Sequence, residues 1–276
     1  MDSFTRDGLV FDVVDAGPRA AETAVLLHGF PQDSSAWGGL APALHAAGLR
    51  TLAPDQRGYS PRATPSRRDA YALDHLVGDV VGLLDAAGLQ RAHVVGHDWG
   101  GGVAWALAAR HPGRVASLTA LSTPHPAAMA WAVAHATQGL DSWYMLAFQV
   151  PWLPERVLAR CIREFYASTA LPEPDVERYA ARFGRPEALS GPLGWYRALP
   201  LATRGGGTGR VRVPTSYVWG MRDPALGRAA AERTGRFVAA PYRVVQLDAG
   251  HWLPETHPDP VAREILQVVD VARRMA

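Results

Sequence analysis

The sequence predicts an α/β fold with a mostly parallel, doubly wound sheet and a helical segment inserted between two consecutive strands. Two observations carry this. Short runs rich in Val, Leu and Thr alternate with Ala-rich stretches at helical spacing, the pattern of strand–helix–strand crossovers. That alternation stops over residues 124–209, where Trp-, Pro- and Arg-rich helical patterns replace it, and then resumes.

The strands are expected at Val10–Val14, Ala24–Leu27, Arg50–Ala53, Ala92–Val95, Val115–Leu121, Thr215–Trp219 and Tyr242–Leu247. Helices are expected over Ala70–Ala87, where Leu73, Leu76, Val77, Val80, Val81 and Leu84 share one face, and over Gly101–Arg110. The Gly205–Gly209 run marks the return from the insertion. The expected division is a core of residues 1–123 and 210–276 with a helical lid of 124–209.

Composition narrows the chemistry. The chain has 276 residues, enough for a large core. Its 28 basic and 26 acidic residues leave a formal charge of +2, too small for a nucleic-acid footprint. A single cysteine, Cys161, excludes internal disulfides and multi-thiolate zinc sites. The absence of lysine excludes a phosphate-loop lysine and Schiff-base chemistry. The polar N-terminus does not resemble a signal peptide, and no apolar run approaches the about 20 residues of a membrane helix. A cytoplasmic protein with no membrane span is expected.

The strongest chemical signal is Val94-Val95-Gly96-His97-Asp98-Trp99-Gly100-Gly101. Gly-x-Asp-x-Gly between a strand and a helix has the form of a nucleophile elbow, with aspartate where many hydrolases carry serine. The sharp turn requires small flanking residues and lifts the central side chain over the sheet. The helix N-terminus beneath favours its carboxylate. An ionised carboxylate needs no base to act as a nucleophile. The plainer alternative, that Asp98 only caps the helix, leaves the flanking glycines unexplained. A second signal, His28-Gly29-Phe30-Pro31, follows the Ala24–Leu27 strand and places backbone N–H groups where an oxyanion hole belongs.

These motifs, with Pro54-Asp55-Gln56-Arg57-Gly58-Tyr59-Ser60 and Ser122-Thr123-Pro124-His125-Pro126, resemble the α/β-hydrolase superfamily in its aspartate-nucleophile branch of epoxide hydrolases and haloalkane dehalogenases. The resemblance covers the whole chain. It implies an acid after a late strand and a histidine near the C-terminus, here Asp223 in Gly220-Met221-Arg222-Asp223 and His251 in Asp248-Ala249-Gly250-His251. Asp248 is a rival acid, ranked below Asp223. It also implies an oxyanion hole from the N–H groups of Phe30 and Trp99.

Epoxide hydrolases of this kind carry two lid tyrosines. Here they match Tyr144, in Tyr144-Met145-Leu146-Ala147-Phe148-Gln149-Val150-Pro151, and Tyr196, in Trp195-Tyr196-Arg197. A phenol is a competent donor to an opening epoxide oxygen. The plainer alternative is a pair of buried tyrosines with satisfied hydroxyls. A pocket of Phe30, Trp99, Phe148, Trp143, Trp195 and Trp252 is expected, with Trp131 and Trp152 as further lid aromatics. The expected reactants are an apolar epoxide and water, giving a vicinal diol through an aspartyl ester, with no metal or cofactor.

Two other readings stay open. A haloalkane dehalogenase needs a second N–H donor for halide beside Trp99, often an asparagine, which this chain lacks; a lid tryptophan is the alternative source. The other is a ligand receptor that kept the fold without turnover. An exposed lid also leaves a homodimer open.

Overall fold

The computed structural model describes residues 1–19, 21–136, 144–204 and 207–275. Its frame is one eight-stranded sheet of β1 (Ser3–Arg6), β2 (Leu9–Ala16), β3 (Thr23–Leu27), β4 (Arg50–Pro54), β5 (Ala92–His97), β6 (Val115–Leu121), β7 (Thr215–Gly220) and β8 (Tyr242–Leu247). The spatial order is β1-β2-β4-β3-β5-β6-β7-β8. Strands β3 to β8 run parallel. β2 joins β4 antiparallel and carries β1 as an outer hairpin strand.

All seven expected strands are present, and β1 is an eighth that the sequence pattern hides. Only Phe4 of its four residues is buried, stacked 4.7 Å from Phe11 across the pair. One apolar residue gives no alternation to detect. The better signal was the Asp7-Gly8 turn, whose two residues have φ of 51° and 77°, as a tight hairpin turn requires.

Side chains alternate between the two faces of the sheet. Val25, Leu27 and Val94 join one core cluster; Ala24, Leu26 and Val95 join the other. Helices α2 (Leu73–Ala86) and α3 (Trp99–Arg110) cover the first face, through Val77, Val80, Leu83, Val103 and Trp105. Helices α1 (Ala41–Ala46) and α11 (Pro258–Met275) cover the second, through Leu44, Val261, Ile265 and Val269. The expected helix at Ala70–Ala87 begins later, because Ala72 is extended and separates a 3-10 turn at Arg68–Tyr71 from α2.

Between β6 and β7 lie α4 (Pro126–His135), α5 (Tyr144–Ala147), α6 (Leu153–Ala167), α7 (Glu173–Phe183), α8 (Pro186–Ala198) and a 3-10 turn at Leu199–Arg204, with no strand among the described residues. Gly205 and Gly206 of the expected return lie outside the described residues. This helical layer is fastened to the core by polar bonds. Arg182 of α7 reaches Asp33 at 3.0 Å and Asp55 at 2.6 Å, and the Trp195 indole donates to the Arg57 carbonyl at 2.7 Å. The last helices are α9 (Arg228–Arg233), α10 (Leu253–Thr256) and α11. No helix among the described residues is long and apolar enough to cross a membrane.

Candidate active site

β5 ends and α3 begins at Asp98, whose φ of 48° and ψ of −121° lie outside the ordinary regions for a non-glycine residue. Strain of this kind costs about 1–3 kcal/mol and persists only where the surroundings enforce it. The surroundings here are very tight. A Cβ on Gly96 would lie 2.3 Å from the Gly100 carbonyl oxygen, and one on Gly100 would lie 2.1 Å from that of Leu27. The flanking glycines therefore let α3 close onto β5 and β3. The Asp98 side chain makes no helix cap. Its Oδ2 instead accepts the Phe30 N–H at 3.2 Å, and the Trp99 N–H also bonds the carboxylate.

His251 follows β8. Its Nδ1 lies 2.8 Å from Oδ2 of Asp223, and its Nε2 lies 3.8 Å from Oδ1 of Asp98. The second distance exceeds a hydrogen bond. Asp223 sits just past β7, with its Oδ1 accepting the N–H groups of Ala225 at 2.8 Å and Leu226 at 3.1 Å. Those two bonds fix the carboxylate, so its other oxygen faces the imidazole. Asp248 points to the surface and pairs with Arg222.

Burial lowers the His251 pKa, but the charge and hydrogen bond of Asp223 and the charge of Asp98 outweigh it and raise the value to about 9. Burial raises the Asp98 pKa, opposed by the His251 charge and the two backbone N–H groups. A neutral residue at position 98 removes one raising influence on His251. The His251 titration midpoint is therefore expected to fall in Asp98→Asn relative to the unaltered protein, by NMR of the imidazole. An unchanged or higher midpoint would mean that the two groups are not coupled.

The carboxylate and imidazole open into a cavity of about 560 Å³. Phe30, Tyr144, Phe148, Tyr196 and Trp252 line it, as the sequence suggested. Tyr144 and Tyr196 stand with ring centroids 6.1 Å apart, and Tyr196 packs 5.0 Å from Phe30. Burial raises both phenol pKa values, so both stay protonated. The pair is held by a side-chain clamp. The Gln149 amide donates to the Tyr196 carbonyl at 2.8 Å and the Met145 carbonyl at 3.2 Å. Arg197 donates to the Phe148 and Val150 carbonyls at 3.0 and 2.8 Å and pairs with buried Glu155 at 2.6 Å.

Several expected pocket residues fall elsewhere. Trp195 is turned from the cavity because its indole bonds the Arg57 carbonyl, and its ring packs on Tyr59 and Trp99. The Trp99 ring stands edge-on to Tyr196 and Trp195, with its side chain hydrogen-bonded to Tyr196, and its backbone N–H reaches Asp98. Trp131 stacks on His135 beneath Arg233. Trp152 is exposed. Trp143 lies outside the described residues.

Other functional residues were not anticipated. Leu153, Val157, Leu158 and Phe165 of α6 complete the wall, with Thr169, Pro224 and Ala225. The Thr169 hydroxyl is already used, donating to the Tyr166 carbonyl and accepting the Trp252 indole N–H, each at 2.7 Å. Behind His251, its carbonyl accepts from His97 Nε2 at 2.9 Å and the Ser122 hydroxyl at 2.8 Å. Gln32 faces His97 at 2.8 Å and donates to Glu255 at 2.6 Å; Tyr179 of α7 also donates to Glu255 at 2.7 Å. Burial raises the Glu255 pKa to about 7. Its place four residues after His251 was the available signal. Among the described residues no group of three or more His, Cys, Asp or Glu side chains is arranged to hold a metal ion.

The sheet order, the strained aspartate and the imidazole between two carboxylates define a hydrolase of the α/β type. The chain belongs to the alpha/beta hydrolase fold family, whose model matches residues 24–258, and within it to the epoxide hydrolases. Epoxide hydrolase A of Mycobacterium tuberculosis is 33% identical over 95% of this chain and 94% of its own. Human Epoxide hydrolase 4 is 34% identical over 94% of this chain and 75% of its own. The crystal structure of Epoxide Hydrolase A from Mycobacterium thermoresistibile superposes with a TM-score of 0.85, at 31% identity and 97% coverage of each chain.

Proposed function

We propose that this protein hydrolyses an apolar epoxide to a vicinal diol, with Asp98 as nucleophile, His251 as base, Asp223 as the acid that orients it, and Tyr144 and Tyr196 as donors to the epoxide oxygen. The observation that carries the reading is that both tyrosines line the cavity that holds Asp98 and His251. Phenols polarise an epoxide oxygen, whereas a halide site needs N–H donors aimed into the cavity.

The oxygens of Asp98 have separate tasks. Oδ2 is held by the Phe30 N–H, which leaves Oδ1 to attack a ring carbon. The C–O bond of the ring breaks as the ester forms, and a lid tyrosine gives its proton to the departing oxygen. His251 then takes a proton from water, and that water attacks Cγ of Asp98. The charge that builds on Oδ2 is met by the Phe30 and Trp99 N–H groups. Collapse breaks the bond from Cγ to the substrate oxygen, the hydroxyl proton left from the attacking water passes to that oxygen to complete the diol and restore the carboxylate, and the His251 proton returns to the tyrosine through solvent. Esterification removes the Asp98 charge that helps keep His251 protonated, so forming the ester frees the base that hydrolyses it. The reactants are a small apolar epoxide and water, and the compartment is the cytoplasm.

Because two phenols share one oxygen, Tyr144→Phe or Tyr196→Phe alone is expected to cost about 10- to 100-fold in turnover, and the double change at least about 10³-fold. Steady-state kinetics checks this; equal abolition by either single change would mean that the tyrosines are not interchangeable donors.

The test of the function is a paired turnover assay. Aryl and aliphatic epoxides are followed for diol, and bromo- and chloroalkanes for halide. Diol without halide is expected. Halide without diol would establish the dehalogenase reading, and tight binding of epoxides without turnover would establish the receptor reading.

A further inference from the structure

Five of the large apolar side chains exposed on the described surface fall within one stretch of twelve residues. They are Leu146 (77% exposed), Val150, Trp152 (61%), Leu153 (47%) and Val157 (52%). Val150, Leu153 and Val157 also line the cavity that holds Asp98, so the patch is continuous with the cavity mouth. Contiguous exposed apolar surface of this kind marks an interaction site.

Trp152 is held out by its backbone. Its φ of 53° is left-handed, which a bulky residue rarely adopts. The Arg156 guanidinium lies 5.2 Å from its ring centroid. Arg156 and Arg160 form an exposed stripe on α6 beside that of Leu153 and Val157. From residue 144 to 163 the only acid is Glu155, which is buried against Arg197. The patch therefore combines an aromatic ring, aliphatic side chains and flanking cations.

We propose that this face of the lid docks on a lipid surface with anionic headgroups, bringing the cavity mouth to the acyl region. An indole and arginines beside aliphatic side chains are the composition that settles at a bilayer interface. Cationic side chains add attraction to anionic headgroups. A twofold pairing of this face with itself would bring the arginine stripes of two copies together, which disfavours a second copy as occupant. The proposal rests on the cavity being the epoxide site: an apolar epoxide partitions into lipid, and this mouth is where it enters.

Vesicle co-sedimentation tests it, with phosphatidylglycerol or phosphatidylcholine vesicles at low salt. About tenfold more protein is expected on phosphatidylglycerol vesicles, falling with added salt. The double variant Leu146→Asp/Trp152→Asp, and separately Arg156→Glu/Arg160→Glu, are expected to lose most of that binding while keeping turnover of a water-soluble epoxide. None of these four residues lines the cavity. Failure of the unaltered protein to sediment, or equal binding by both double variants, would overturn the proposal. A dimer by light scattering that Leu146→Asp/Trp152→Asp splits would also overturn it, because a second copy would then cover the face. Sedimentation is read without turnover. Vesicle binding without diol from any epoxide would therefore count against the proposed function, and diol without vesicle binding against the docking alone.

Discussion

Asp98→Ala is expected to abolish diol formation, with a loss of at least about 10⁴-fold, because no other side chain can take over the attack. The geometry is restrictive. Asp98 alone carries its carboxylate on a strained turn above the sheet, with one oxygen against the Phe30 N–H and the other facing His251. Asp223 is turned away and held by two backbone N–H groups. Alanine at position 98 keeps the tight turn small, so the fold should survive, which unchanged far-ultraviolet circular dichroism would check. Diol formation near the normal rate in a folded Asp98→Ala protein would exclude a covalent route through this residue.

His251→Gln is expected to separate the two chemical steps. Ring opening uses the ionised carboxylate and the phenols, so it needs no base. Hydrolysis needs a proton taken from water, and a positioned base contributes typically about 10²–10⁴-fold to such a step. The variant should therefore accumulate the ester. Intact-protein mass spectrometry should show a gain equal to the whole mass of the epoxide, because no group leaves. The same gain should be absent in Asp98→Ala. Rapid turnover by His251→Gln without an adduct would mean that another group activates the water.

The candidate line of Asp98, Asp223 and His251 was legible in the sequence because each part is forced locally. The elbow needs glycine at positions 96 and 100, and its neighbours leave no room for a Cβ. The acid and the histidine each follow an apolar strand, so chain order suffices to find them. What the sequence did not show is direction. Trp195 stands next to Tyr196 on α8, yet its ring faces away and its indole bonds the Arg57 carbonyl, because a helix sends adjacent residues to different sides. Leu153, Val157, Leu158 and Phe165 read as an ordinary amphipathic helix, and only its seating over the sheet makes them a cavity wall. Gln149 lay within a motif visible in the sequence, but its bond to the Tyr196 carbonyl depends on the packing of α8 against that segment. The hairpin strand β1 was hidden because one buried phenylalanine makes no pattern.

In the proposed reaction water attacks Asp98 rather than the epoxide. A single turnover in ¹⁸O-labelled water, with protein in excess over epoxide, tests it most directly. Cleavage after arginine releases residues 92–110 as one fragment containing Asp98 as its only carboxylate side chain. ¹⁸O is expected in that fragment, and unlabelled oxygen in the first diol. Label in the first diol with an unlabelled fragment would show direct attack of water on the epoxide and contradict the proposed reaction.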